Sequence, residues 1–194
     1  VGMINTVNWL DGLDGLAAGV TIIASAILFI HTFRLHQYSL AVLPLALAGS
    51  ALGFLPFNFH PARVFMGTSG ALVLGFSLAG LAIIGGAKMA TTLLVLGIPI
   101  LNVAWQILSR LRCSRSPLQG DLGHLHYRLS DLGLSQRQVV LLFYGLSAFF
   151  GIMALVLHSG RQKLYMLLAM GILIVALLLV LEHLPRKDLP KSGF

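Results

Sequence analysis

Residues 16–30 read "LAAGVTIIASAILFI", an apolar run without one charged side chain. In hydrocarbon every backbone N–H and C=O must be satisfied within the protein, so a run of this kind predicts a helix. Comparable runs recur along the chain, and we read six membrane helices, over residues 16–33, 40–55, 69–86, 91–108, 138–158 and 164–183. The second is short against the roughly 20 residues a bilayer requires, and Pro99 predicts a kink in the fourth. Composition agrees: 57% of residues are hydrophobic and 10% charged, with mean hydropathy +0.91, where a soluble domain carries about 25% charged residues. No long repeat or low-complexity tract divides the chain. The expected fold is an all-α, polytopic membrane helix bundle, a single transmembrane domain over 1–194.

Charge placement orients this bundle. Loops 1–15, 56–68, 109–137 and 184–194 hold nine basic residues: Arg63, Arg110, Arg112, Arg115, Arg128, Arg137, Arg186, Lys187 and Lys191. The alternate loops hold four, Arg34, Lys88, Arg161 and Lys163. The positive-inside bias puts the first set in the cytoplasm and predicts a multi-pass protein with its polar loops on that face. The net charge of +7 is thus spread between hydrophobic segments, with no basic, aromatic-studded face, and nucleic acid is excluded as a partner. The single cysteine, Cys113, excludes an internal disulfide. The chain opens on Val1 with no signal-peptide pattern before Asn5, and is expected to be a piece of a longer protein.

Three polar clusters fall on the predicted cytoplasmic side. The first, "NTVNWLDGLDGLAAG" (5–19), brings Asn5, Asn8, Asp11 and Asp14 to the mouth of a helix. Carboxylates at i and i+3 share a helical face, and hard cations such as Mg²⁺ combine one or two carboxylates with substrate phosphates. Gly12 and Gly15 permit a tight turn against a ligand. An Asp-capped helix start followed by Gly15-x-x-x-Gly19 helix packing explains the local chemistry equally well. The second cluster offers Asn58, His60, Arg63 and Phe65 before "MGTSGAL". Its glycine-flanked turn can present N–H groups to phosphate, though a Thr or Ser helix cap is the commoner use, and His60 reads as an interfacial loop residue. In the third, within a cytoplasmic loop over 109–137, His124, His126 and Arg128 alternate with Leu125, Tyr127 and Leu129. Such donors can grip a diphosphate or lie against anionic lipid. Ion-pathway function is disfavoured because buried mid-span ionisable residues are scarce. His31, His158 and His183 read as interfacial residues, and Trp9, Trp105 and Tyr144 as packing or belt residues.

The three clusters together resemble the polyprenyl-phosphate N-acetylhexosamine-1-phosphate transferase superfamily. "NTVNWLDGLDGLAAG" resembles its N-x-x-N-x-x-D-G-x-D-G-L signature, "PARVFMGTSGAL" its P-x-x-[VI]-F-M-G-D-[ST]-G-[SA] block, and "GHLHYRLSDLGLSQRQVVLLFY" its H-x-H-H-R-L loop. The order and spacing match over essentially the whole chain, and the histidine loop is more similar to the branch using UDP-N-acetylglucosamine than to the muramoyl-pentapeptide branch. The resemblance implies transfer of N-acetylglucosamine 1-phosphate, or a related N-acetylhexosamine 1-phosphate, from a UDP-sugar to undecaprenyl phosphate. UMP leaves, and the lipid-linked sugar starts a cell-wall or surface polysaccharide. It implies Mg²⁺, with Mn²⁺ as a substitute, and membrane lipid and a second copy of the chain as compatible partners. Carried over residue by residue, Asp11, Asp14, His124 and His126 would be catalytic. Asn5, Asn8, Gly12, Leu13, Phe65 and Arg128 would bind substrate, Phe65 against the uracil, and Asn8, Asp11 and Asp14 would hold the metal.

Two positions depart from the family pattern. Thr68 stands where the F-M-G-D block has its acidic metal ligand, and Tyr127 replaces a histidine of H-x-H-H. No counterpart of the family's acidic D-D-x-x-D motif precedes Val1. The chain is therefore expected to be the C-terminal portion of a larger transferase, without turnover as 194 residues alone. A catalytically inactive homologue with a lipid-binding, nucleotide-binding or partner role is the alternative.

Overall fold

A computed structural model describes residues 1–84, 89–97, 99–100, 135–157 and 159–183, with the side chains at 174 and 177–183 excepted. Among the described residues there are seven helices and no strand. They are α1 (Gly2–Leu10), α2 (Leu16–Arg34), α3 (Tyr38–Asn58), α4 (Gly67–Ile83), α5 (Met89–Val95), α6 (Gln136–Val156) and α7 (Gly160–His183). The fold is the expected all-α membrane helix bundle. Three helices, α2, α3 and α6, are long and apolar enough to cross a membrane, and α4 is a shorter apolar helix.

Several boundaries differ from the sequence reading for identifiable reasons. Residues 2–10, read as loop, form α1, whose Val7 and Leu10 are buried in the core. The second span runs through Pro56 to Asn58 and is not short. A proline removes one N–H and disfavours helix before it, yet neighbouring groups compensate in membrane helices. Here the Asn58 side chain bonds two other segments and holds the last turn in place. Ser135 caps α6 through a reciprocal box with Gln138, so that helix starts at Gln136 rather than 138. Beyond α5 the Leu96 N–H donates to the Thr92 carbonyl and the Ile100 N–H to the Leu96 carbonyl, both with helical spacing. The remainder of the expected fourth span, on which a kink at Pro99 depends, lies outside the described residues.

Helix α2 is the central element, packed against α3, α6, α4 and α5. Its Leu16, Ala17, Ala18, Val20, Ala24 and Leu28 are all buried. Lipid tails are as apolar as leucine, so small residues that permit close contact matter more than greasiness. Gly19 shows this: the space a Cβ would fill there is occupied by the Tyr144 ring of α6. The expected Gly15-x-x-x-Gly19 packing thus serves an aromatic side chain. Gly75 of α4 does the same for α1, because an added Cβ would stand 2.7 Å from the Ile4 Cα. At the end of the bundle remote from the loops 11–15 and 59–66, the Arg34 Nη1 donates to the Leu155 carbonyl at 3.2 Å, placing positive charge at the α6 C-terminus. Nearby in the chain order of that end, the buried Lys163 Nζ donates to Thr91 Oγ1 at 3.0 Å and joins α7 to α5.

Overpacking should therefore be costly at Gly19. Gly19→Ala is expected to destabilise by about 1–3 kcal/mol, and Gly19→Ala/Tyr144→Leu to recover part of that loss. Thermal unfolding of the detergent-solubilised variants measures both; an unchanged melting temperature for Gly19→Ala would contradict the packing.

Candidate active site

The site begins with how the chain passes from α1 to α2. Asp11 is the C-cap of α1 and Gly15 the N-cap of α2, with no side-chain cap on either N-terminus. The Asp-capped reading of this stretch is thereby set aside: Asp14 makes no cap. Gly15 takes the left-handed conformation, φ 82°, which an L side chain would resist. Its N–H donates to the Asn58 Oδ1 at 3.1 Å, and its carbonyl accepts from the Tyr144 hydroxyl at 2.6 Å. Asn58 is 2% exposed and also donates from Nδ2 to the Val64 carbonyl at 3.0 Å. One buried amide therefore ties the first motif to the second.

The second loop folds back on itself. The Arg63 and Val64 N–H groups both donate to the Phe57 carbonyl, at 2.8 and 3.0 Å. This presents two donors to Asp14. Its Oδ2 accepts from the Ala62 N–H at 3.1 Å and lies 3.0 Å from the His60 Nδ1, which acts as the donor toward a carboxylate. His60 is itself held from α6, where the Arg137 Nε donates to the His60 carbonyl at 3.1 Å. The Gly67 N–H bonds Asp11, so the same loop grips both carboxyls. Met66, not Thr68 or Ser69, is the N-cap of α4, and no side-chain cap is made; the Thr or Ser cap reading of "GTSG" does not hold.

Burial first, and then the neighbouring Asp14 charge, push the Asp11 carboxyl from 3.8 up to about 6, against the opposing pull of the Gly67 N–H. Two carboxylates crowded into a half-buried turn are thus an unneutralised negative site. Among the described residues there is no group of three His, Cys, Asp or Glu suited to a metal. Asp11 and Asp14 fit a hard cation that completes its shell with substrate phosphates and water, and fit a closed all-protein cage poorly.

The structure distributes the other expected residues as follows. Asn5 and Asn8 stand three residues apart on α1, Asn5 exposed and Asn8 half-buried. Gly12 is exposed in the turn, while Leu13 is buried in the core, leaving its backbone as the part a ligand can meet. Phe65 is 75% exposed beside the carboxylates' loop, and Thr68 is exposed in the first turn of α4. His124, His126 and Arg128, with Tyr127, lie outside the described residues. Four residues that the sequence reading gave no site role hold the geometry: Asn58, His60, Arg137 and Tyr144. A polar side chain ending an apolar run, as Asn58 does, is the one signal that could have marked them.

Comparison with known proteins follows the same residues. Residues 1–86, which contain both described motifs, match the family model for glycosyl transferase family 4. Over these residues the chain is similar to glycosyl transferase family 4. It is 38% identical over 167 residues to a Bacillus subtilis (strain 168) protein, a probable undecaprenyl-phosphate N-acetylglucosaminyl 1-phosphate transferase, covering 82% of this chain and 46% of that one. It is 36% identical over 216 residues to a decaprenyl-phosphate N-acetylglucosaminephosphotransferase of Mycobacterium leprae (strain TN), covering 97% and 54%. A phospho-N-acetylmuramoyl-pentapeptide-transferase of Halalkalibacterium halodurans is 40% identical over 163 residues, covering 81% and 49%. The chain spans about half the length of these relatives.

Two measurements test the site as built. The proton that Asp11 holds more tightly when folded adds stability below about pH 3.8, and that share is lost as pH rises through about 6. Asp11→Asn should therefore gain melting temperature relative to the wild type as pH is raised across that window, and a difference that shrinks instead would overturn the shift. Asn58→Leu, which strands the Gly15 N–H and the Val64 carbonyl, should cost about 2–3 kcal/mol in chemical unfolding. Asn58→Asp, which cannot donate when ionised, should also destabilise.

Proposed function

We propose that the protein acts as a phosphoglycosyltransferase, moving N-acetylglucosamine 1-phosphate from UDP-N-acetylglucosamine to undecaprenyl phosphate and releasing UMP. The observation that carries this reading is the pair Asp11 and Asp14, gripped by the 59–67 loop at one end of a membrane bundle. A water-soluble nucleotide and a lipid acceptor can meet only at such a boundary, which we place on the cytoplasmic face of a bacterial inner membrane. The names borne by the Bacillus and mycobacterial relatives support the N-acetylglucosamine donor and the polyprenyl phosphate acceptor. The product would be the lipid-linked first sugar of a wall or surface polymer.

In the reaction an acceptor phosphate oxygen forms a bond to the sugar-bearing phosphorus of the donor. The bond from that phosphorus to the bridging oxygen breaks, and UMP leaves with the electron pair. Phosphoryl transfer is mostly positioning and electrostatics, and both are supplied by preformed groups here. Asp11 and Asp14, with Asn8 one helical turn before Asp11, would hold Mg²⁺, with Mn²⁺ as a substitute. When bound, the cation offsets the repulsion between two anionic phosphates. Asn5, the Gly12–Leu13 backbone and Phe65 would receive the nucleotide, with Phe65 free to cover a base because its ring is exposed. His124, His126 and Arg128 would hold the diphosphate.

Thr68 favours a second reading, a homologue that binds nucleotide or lipid without turnover. A hydroxyl is a far weaker Mg²⁺ ligand than the carboxylate of the family pattern. The deciding experiment incubates the complete gene product with radiolabelled UDP-N-acetylglucosamine, undecaprenyl phosphate and Mg²⁺. Transfer is expected, with Asp14→Asn losing at least ~100-fold of the rate. Thr68→Asp is expected to lower the Mg²⁺ concentration needed for half-maximal rate. Absence of turnover in both the wild type and Thr68→Asp would leave the non-catalytic reading standing.

A further inference from the structure

We infer that His60 is a positioning residue for the reaction: it orients the Asp14 carboxylate, and is itself held in register by Arg137 of α6. The inference rests on the transferase reading of the site. His60 was an unremarkable loop histidine in the sequence, and neither the motif resemblance nor the relatives assign it a role. The geometry does. A lone hydrogen bond lets a carboxylate swing about its Cβ–Cγ axis, but two donors on one oxygen remove that freedom. Asp14 Oδ2 receives the Ala62 N–H at 3.1 Å and the His60 Nδ1 at 3.0 Å, which sets the direction of Oδ1. Both donors lie on a loop whose backbone is pinned by Phe57 and Asn58. The Arg137 bond to the His60 carbonyl at 3.1 Å adds a third anchor from a helix distant in sequence. The His60 side chain is itself 37% exposed.

A purely structural contact and a positioning one differ in what rescues them. Asparagine carries its amide nitrogen on Cγ, as histidine carries Nδ1, so His60→Asn can restore the donor without the ring. His60→Ala removes the donor, and His60→Asp adds a like charge beside Asp14. In the transfer assay with the complete protein, His60→Ala should lower kcat by about 10- to 100-fold with a smaller change in the KM for UDP-N-acetylglucosamine. His60→Asn should stay within about threefold of wild type, and His60→Asp should fall below His60→Ala. On the Asp14→Asn background His60→Ala should add less than about threefold, because its partner is already altered.

Hydrogen exchange read by mass spectrometry on the substrate-free protein provides an arm that needs no activity. The peptide carrying Ala62 should exchange faster in His60→Ala and at the wild-type rate in His60→Asn. Unchanged exchange in His60→Ala overturns the orientation of Asp14 by His60. Faster exchange with an unchanged transfer rate overturns its part in the reaction. If melting temperatures match while Ala and Asn variants lose activity equally, donation from Nδ1 is overturned as the cause. A wild type that transfers nothing overturns the transferase reading instead, and the exchange arm still decides whether His60 holds Asp14.

Discussion

The turn at Gly15 is the constraint on which the rest of the structure depends. Its left-handed conformation ends the connection from α1 and starts α2; its carbonyl accepts the first helical bond, from the Gly19 N–H at 2.9 Å, but its own N–H has no helical partner. Near hydrocarbon an unpaired amide costs several kcal/mol, so this N–H must find a partner elsewhere in the protein. Asn58 at the end of α3 provides it, and the Tyr144 hydroxyl on α6 adds a second donor to the carbonyl. The arrangement demands that three helices converge, and it requires glycine at residue 19, where the Tyr144 ring passes. Asp14 immediately precedes this turn, so the carboxylate's position follows from the packing of α2 against α3 and α6.

The two motifs then have different physical jobs. The first supplies the negative charge, and the second supplies the donors that tolerate it. Gly67, Ala62 and His60 all come from the 59–67 segment, and all direct hydrogen-bond donors at Asp11 or Asp14. Backbone donors are well suited to this because they neutralise part of a charge without adding a long, mobile cation. The compensation is incomplete, as the Asp11 shift to about 6 shows. What remains is an attraction for an external positive charge, at a half-buried site where screening is weaker than in open water.

Much of this was legible in the sequence, and what was not has physical causes. Uncharged runs identify helices reliably because lipid leaves no alternative for the backbone, and α2, α3 and α6 follow from that rule alone. The family resemblance followed from three motifs whose residue types, order and spacing are unusual. Residues 2–10 were missed as a helix because nine residues are too few to span a bilayer, and their burial depends on Gly75 of a distant segment. Asn58 and His60 stood out as members of a polar cluster, but their roles, like those of Arg137 and Tyr144, were not legible for a related reason: each acts on a partner at least 43 positions away. Local patterns carry no record of such pairings. The capping reading of Asp14 failed because its carboxylate bonds the 59–67 segment instead, and that of "GTSG" because Met66 takes the N-cap position and no side chain caps the helix.

Thr68 gains a physical meaning from the same electrostatics. An acid in the first turn of α4 would be favoured by the helix dipole, but it would follow Gly67, whose N–H already bonds Asp11. A third carboxylate there would repel a pair that burial and mutual charge have already lifted at Asp11 to about 6. Without a cation, threonine is therefore the less strained residue. With a cation, it is the weaker ligand, since hydroxyls do not replace carboxylates in holding hard metals. On the transferase reading, the donor's own phosphates must then supply a larger share of the cation's oxygen shell. Metal binding and nucleotide binding become coupled: each strengthens the other by the same factor, as linkage requires. On that reading, the substitution that makes the site look defective is the one that would tie a cation to the arrival of substrate.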